Sequence, residues 1–408
     1  MNQCENSVKW FSLSAAEILK QQVDNPAVQV LQSQLMGEIY SLFDSKIQVS
    51  HLQLHHFCQP RQNETMQGRD QFVFKNNTTL EPCIKELEYL LFDAPKRERD
   101  VCLYLHLADA NLDELKYKST HLYARLKALT SNGFLKIAGG VLDEAFIGPD
   151  DVAFSVASIN AYYAKVVAMF GVDAIAPVVW IPERFFEEKT SEILSKVAET
   201  SSFFKSRENI YIIVDQNVIE HSLPEDWKGN VFTGWTNPQY PRLKIFVSSN
   251  YLRAIMPKAT PAEVNQHVFQ MMNNVWDEGQ KETINWFIQR YEELINKYDS
   301  LKNNFVVQGA SDLNEECERF LFEAKPALEG VEPLFVFFVD DLEKNGSWTG
   351  SYQFAFEENR HFLRYIEQAG NMFNPYHMKA LEEHSPTFSE ISSIRPSSYK
   401  EFSIIWNN

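Results

Sequence analysis

Several short apolar runs in this chain stop on residues that can move protons or carry charge. LFVFFV stops at Asp340-Asp341, IYIIV at Asp215, VVWIP at Glu183-Arg184, VCLYL at His106, and an earlier run near His56 and Cys58. If these runs are parallel strands of one barrel, their carboxyl ends meet on one face, and acids from distant parts of the chain share a pocket. Asp and Glu also follow strands as ordinary helix caps, but an adjacent acid pair after an unbroken apolar run goes beyond that. Two carboxylates facing each other across a pocket suit glycoside hydrolysis. One protonates the departing oxygen while the other attacks the anomeric carbon or activates water. Arg184 beside Glu183 would hold a carboxylate ionised and oriented. Trp180, Trp235, Trp348 and Trp406 offer flat apolar faces for a sugar ring, or equally side chains for a core.

A metal site is the competing chemistry, because His51, His55, His56 and Cys58 lie close together. On a helix His51 and His55 would share a face as zinc ligands do. The segment KIQVSHLQLHHF alternates apolar and polar residues, however, which is strand periodicity and sends His56 and Cys58 to the face of Leu52 and Leu54. Other signatures are missing: there is no G-x-S-x-G elbow, no glycine-rich phosphate loop, and Gly139-Gly140 lacks the third glycine of a dinucleotide fingerprint. No cofactor is implied.

The elements that must position these residues follow from the apolar pattern. The runs Ile47–Phe57, Val101–Leu107, Phe134–Ala138, Ala174–Ile181, Ile210–Val214, Leu243–Val247 and Leu334–Val339 read as strands. Several are apolar at consecutive positions, the mark of a parallel sheet covered on both faces. Amphipathic stretches at 13–44, 112–130, 152–170, 188–199, 261–301 and 312–325 read as helices. Strand then helix, repeated about seven times, is the pattern of an α/β barrel or a doubly wound sheet.

Composition narrows the partners. The 408 residues carry 38 Lys plus Arg against 55 Asp plus Glu, a formal net charge of −17, which argues against nucleic acid and other polyanions. Five scattered cysteines without C-x-x-C spacing suit a reducing compartment. No apolar stretch reaches membrane-spanning length uninterrupted, and the N-terminus lacks a basic start followed by an apolar run. The expectation is a cytoplasmic protein, or one exported without a signal peptide, with no membrane partner.

The segments VVWIPERFF (Val178–Phe186), IYIIVD (Ile210–Asp215) and DDLEKNG (Asp340–Gly346) together resemble glycoside hydrolase family 57. Three weaker matches extend the likeness over about residues 47–406: HHFCQPRQN from His55, LRAIMPKATPAEV from Leu252, and PSSYKEFSIIW (Pro396–Trp406). The resemblance implies an incomplete TIM-like (β/α)7 barrel, with Glu183 as nucleophile and Asp341 as acid/base. His56, Trp180, Arg184, Asp215, Glu343 and Trp406 would contact substrate. The substrate would be an α-glucan, cleaved by amylase-type hydrolysis or passed on by 4-α-glucanotransfer. Residues 1–45 are then an N-terminal helical addition, 46–348 the barrel, and 349–408 a C-terminal helical region that completes it. The chain stops two residues after Trp406, so the further β-rich domain common in the family is expected to be absent.

Departures from the family pattern keep other readings open. Cys58 replaces a histidine of the first motif, Lys136 stands where a glutamate is usual, Leu142-Asp143-Glu144 takes the place of Tyr-Glu-Pro, and Leu342 and Asn345 alter the fourth motif. One alternative is a glucan-binding protein of the same fold with impaired catalysis. Another is a metal-dependent barrel enzyme of α-mannosidase or deacetylase type.

Overall fold

The computed structural model describes residues 21–47, 49–57, 103–133, 135–142, 151–227, 229–250, 276–303, 307–331, 334–341 and 388–398, with isolated positions 18, 81, 84, 88 and 147. Within these, side chains are described except at 44–57, 103, 303, 307–308, 334–338 and 340–341. Chain contacts divide the protein into two compact units. The first comprises Met1–Ser50, Asn265–Leu334 and Ile366–His377; the second comprises His51–Val264, Phe335–Tyr365 and Met378–Asn408.

The apolar runs all become strands: β1 (Val49–Phe57), β2 (Leu103–Leu107), β3 (Leu135–Gly139), β4 (Ile175–Val179), β5 (Ile210–Asp215), β7 (Tyr240–Ser248) and β8 (Leu334–Asp341). They pair in the order β5-β4-β3-β2-β1-β8-β7, and β7 also pairs with β5, so the sheet closes on itself. The closing pair is parallel and continuous from Ile210↔Leu243 to Asp215↔Ser248. The pairs β1–β2, β2–β3, β3–β4, β4–β5 and β7–β8 are parallel as well. Seven described strands thus form an α/β barrel one strand short of the eightfold pattern. Two further strands are short and carry no apolar run, so the hydrophobic pattern does not reveal them. β6 (Gly234–Asn237) lies antiparallel to β7, and β9 (Phe388–Glu390) lies parallel to β6.

The crossover helices cover the ring. Between β2 and β3 the expected single helix is two, α3 (Asp109–Tyr117) and α4 (Thr120–Ser131). α5 (Val152–Phe170) is capped by Asp151, whose side chain accepts from the Phe154 amide at 2.8 Å. It is the one described helix long and apolar enough to cross a membrane by composition. In the fold it packs on β3, β4 and α6 (Glu188–Thr200). Its buried Ile159, Tyr162, Tyr163, Val166 and Met169 explain that apolarity, each apolar side chain contributing about 1.5–3 kcal/mol on burial. Contact is close at Gly139, where a Cβ would stand 2.1 Å from the Tyr163 ring.

In the first unit, the helix expected over 13–44 is interrupted by irregular backbone at 21–25, and α1 (Pro26–Ser33) begins after it. Pro26 lacks an N–H and disfavours helix at the residue before it, so it opens a helix readily and seldom continues one. Asn25 caps the new start by accepting from the Ala27 amide at 3.0 Å. A π-helical turn (Gln34–Glu38) joins α1 to α2 (Ile39–Ile47). These pack with α7 (Glu278–Asn303) and α8 (Val307–Ala327) through Phe43, Phe287 and Phe320, whose successive ring centroids are 5.8 and 4.9 Å apart. The helices between β7 and β8 therefore group with the N-terminal helices. Of the expected C-terminal helical region, residues 388–398 form β9 and an extended segment, and the remainder lies outside the described residues.

Candidate active site

The strands run parallel around the ring, so their carboxyl ends gather on one face. His56 and His106 are register partners across β1 and β2, and Asp215 and Ser248 are partners across β5 and β7. Beyond β4 the pairing continues for one more residue, the Trp180 amide donating to the Gly139 carbonyl at 2.8 Å. The chain then makes a tight turn, Pro182–Arg184, in which Glu183 has φ +52° and Arg184 φ +48°. Left-handed backbone costs an L residue about 1–2 kcal/mol, because Cβ crowds the following carbonyl. Two such residues in succession, neither of them glycine, mark a turn held by its surroundings.

Those surroundings are polar and buried. The Arg184 guanidinium, 2% exposed, donates to Asp215 Oδ1 at 2.8 Å and to the Val339 carbonyl on β8 at 3.4 Å. Asp215 is fully buried and also accepts from Ser248 Oγ at 3.0 Å. One side chain after β4 is thereby tied to β5 and β8, with β7 joining through Ser248. Such a pair resists disruption, because removing either partner strands the other charge in a low dielectric. Glu183, the neighbour of Arg184, is exposed. The turn buries its cation and presents its carboxylate.

The expected site residues fall into four groups. Glu183, Arg184 and Asp215 are brought together on this face, but Arg184 orients the buried Asp215 instead of the carboxylate beside it in sequence. Trp180, expected as a platform for sugar, is 2% exposed and stacks on His106 with ring centroids 5.8 Å apart. Tyr162 stacks on the same His106 at 5.2 Å. Gly140 fits against that histidine only because it lacks a Cβ, which would stand 2.1 Å from Nε2. Trp180 therefore packs the wall of the site, and Trp235, 1% exposed, is core as well. His56 and Asp341 are placed by their strands alone. His56 lies opposite His106, and Asp341 ends β8 two residues beyond Val339, whose carbonyl meets Arg184. Glu343, Trp348, Trp406 and Cys58 lie outside the described residues.

Lys136 is on β3, but near its start, where Nζ donates to the Asp173 carbonyl just before β4 at 2.6 Å. It lies toward the opposite end of the barrel from this face. Sequence reasoning missed the polar residues hydrogen-bonded around this turn and its Asp215 partner. They are Ser248, Asn217, Ser397 and Ser398; the last two fall in the PSSYKEF match, though nothing in their type signals a role.

No known family profile and no curated protein matches the sequence. Solved structures do. A 4-α-glucanotransferase from Thermococcus litoralis superposes with a TM-score of 0.56 at 15% identity, covering 87% of this chain and 43% of that one. A GH57-type branching enzyme from Pyrococcus horikoshii gives 0.53 at 11% identity, covering 87% of this chain and 73% of that one. A GH57 branching enzyme from Thermococcus kodakaraensis gives 0.51 at 13% identity, covering 86% and 74%. The chain spans less than half the length of the glucanotransferase. At these identities the likeness is one of fold, and the fold of this chain is that of the glycoside hydrolase family 57 enzymes.

Proposed function

We propose that the protein is a retaining glycoside hydrolase or transglycosylase acting on an α-glucan, with Glu183 as nucleophile and Asp341 as acid/base. The observation that carries this reading is the Pro182–Arg184 turn: an exposed carboxylate on strained backbone above a buried Arg184–Asp215 pair, at the carboxyl end of a barrel. The fold shared with a 4-α-glucanotransferase and two branching enzymes supports the substrate class.

In this mechanism Glu183 attacks the anomeric carbon while the glycosidic C–O bond breaks, and Asp341 gives its proton to the leaving oxygen. Asp341, now a carboxylate, takes a proton from water or from a sugar hydroxyl as that oxygen attacks the same carbon, which releases Glu183. Water as acceptor gives amylase-type hydrolysis, and a glucan hydroxyl gives 4-α-glucanotransfer. Retention requires the two carboxyl groups about 5–5.5 Å apart.

The test is incubation of the protein with glycogen and, separately, with maltoheptaose, alongside Asp341→Asn. Glucose or short maltodextrins identify a hydrolase, and a ladder rising above seven units identifies a transferase. The variant should do neither. Unchanged substrates with folded wild type would overturn the reading and leave a glucan-binding protein as the account to pursue.

A further inference from the structure

Residues 388–398 run as a strap from β6 to the turn that carries Glu183. β9 pairs with β6, the Ile391 amide donates to the Thr236 carbonyl at 3.0 Å, and the Ile394 amide donates to Glu188 Oε2 at 3.2 Å. Ser397 then pairs with Phe186 through two backbone hydrogen bonds of 2.9 and 3.1 Å. At the end of the strap the Ser398 hydroxyl donates to the Glu183 carbonyl. Both hydrogens of the Asn217 amide are spent on the strap, Nδ2 donating to Ser397 Oγ at 2.9 Å and to the Ser398 carbonyl at 2.6 Å. Asn217, Ser397 and Ser398 are 3–4% exposed, so water competes little for these bonds.

We propose that Ser398, held in place by Asn217, is a positioning residue that fixes the Glu183 backbone in its left-handed conformation and so aims the Glu183 carboxylate. Three features of the structure converge on this. The Glu183 carbonyl belongs to a residue outside any regular hydrogen-bond ladder, and a buried partner there selects one conformation of the turn. Asn217 lies two residues beyond Asp215, so the end of β5 grips the turn twice: by side chain through Asp215 and Arg184, and by backbone through Asn217 and Ser398. Before it reaches Ser398 the strap is tied to β6, to Glu188 on α6, to Phe186 and to Asn217, which leaves the hydroxyl little freedom to follow a turn that moves.

The consequence for catalysis rests on the reading of Glu183 as nucleophile, whereas the consequence for the backbone does not, and the experiment reads both. Hydrogen exchange follows the amides of Arg184, Phe185 and Phe186, which donate to Ile181, Pro182 and Ser397 respectively. In Ser398→Ala their exchange should rise about tenfold, as expected for one lost buried hydrogen bond, with β5 and α6 unchanged. Asn217→Ala should give the same local pattern. In kinetics, kcat should fall about 10- to 100-fold with KM within about twofold, the signature of a misaimed nucleophile, and Ser398→Thr should retain most of the activity. Exchange at 184–186 equal to wild type, or raised equally across β5, would overturn the clamp. So would a rise in KM at unchanged kcat. If the wild type turns over no glucan, the nucleophile assignment falls, while the exchange pattern still decides whether Ser398 holds the turn.

Discussion

The two ends of the barrel place positive φ on different residues. At the amino ends of the strands, the helix-to-strand connections need positive φ before β3 and before β4, and glycine supplies it, Gly133 at φ +78° and Gly171 at φ +91°. A Cβ at either would have nothing within 4 Å, so glycine is there for its conformational freedom. At the carboxyl ends, after β4, the demand falls on Glu183 and Arg184 in succession. Glycine would relieve the strain there, but it could neither reach the buried Asp215 nor present a carboxylate. One end is built for stability, and the other accepts strain in return for two charged side chains in fixed places.

Substitutions can break that contrast or sharpen it. The largest effect should come from Glu183→Gln, which should cut glucan turnover by at least about 10⁴-fold, about 5.5 kcal/mol of transition-state stabilisation, with melting temperature held. Steady-state rates on maltoheptaose beside thermal unfolding check it. Next, Arg184→Leu should cost about 3–5 kcal/mol of stability, because Asp215 would stay buried without its cation. The double variant Arg184→Leu with Asp215→Leu should recover part of that loss in urea unfolding. Gly140→Ala should cost about 1–3 kcal/mol by forcing His106 off its stack with Trp180 and Tyr162, visible in near-ultraviolet circular dichroism as well as in unfolding. The smallest effects carry opposite signs. Gly133→Ala should destabilise by about 1 kcal/mol, and Glu183→Gly should stabilise by about as much while abolishing turnover. Loss of stability in Glu183→Gly would end the contrast between the two ends.

What the sequence discloses follows from what each feature depends on. The barrel strands are legible because burial on both faces requires consecutive apolar residues, and runs as short and as β-branched or aromatic as IYIIV and LFVFFV suit a covered strand far better than a helix. Glu183, Asp215 and Asp341 are legible as acids at strand ends. The direction in which Arg184 reaches is not, since adjacency to Glu183 in sequence suggests one partner and the left-handed turn sends the guanidinium to another. Trp180 is misleading for a related reason: a tryptophan can serve a core or a sugar equally well, and only its stack on His106 decides between them. β6 and β9 are hidden because short strands at a barrel's margin need no apolar run. Ser398 and Asn217 are hidden because they hold the turn through one carbonyl and two amide hydrogens, which leave no mark on periodicity or charge.

The central claim, that the turn after β4 presents Glu183 as a nucleophile, is tested most directly by trapping the covalent intermediate. The protein is treated with 5-fluoro-α-glucosyl fluoride, whose fluorine slows release of the sugar from the enzyme, then digested and mapped by mass spectrometry. The label should sit on Glu183, and prior incubation with maltoheptaose should prevent it. A label on another carboxylate, or glucan turnover that persists in Glu183→Gln, would contradict the account.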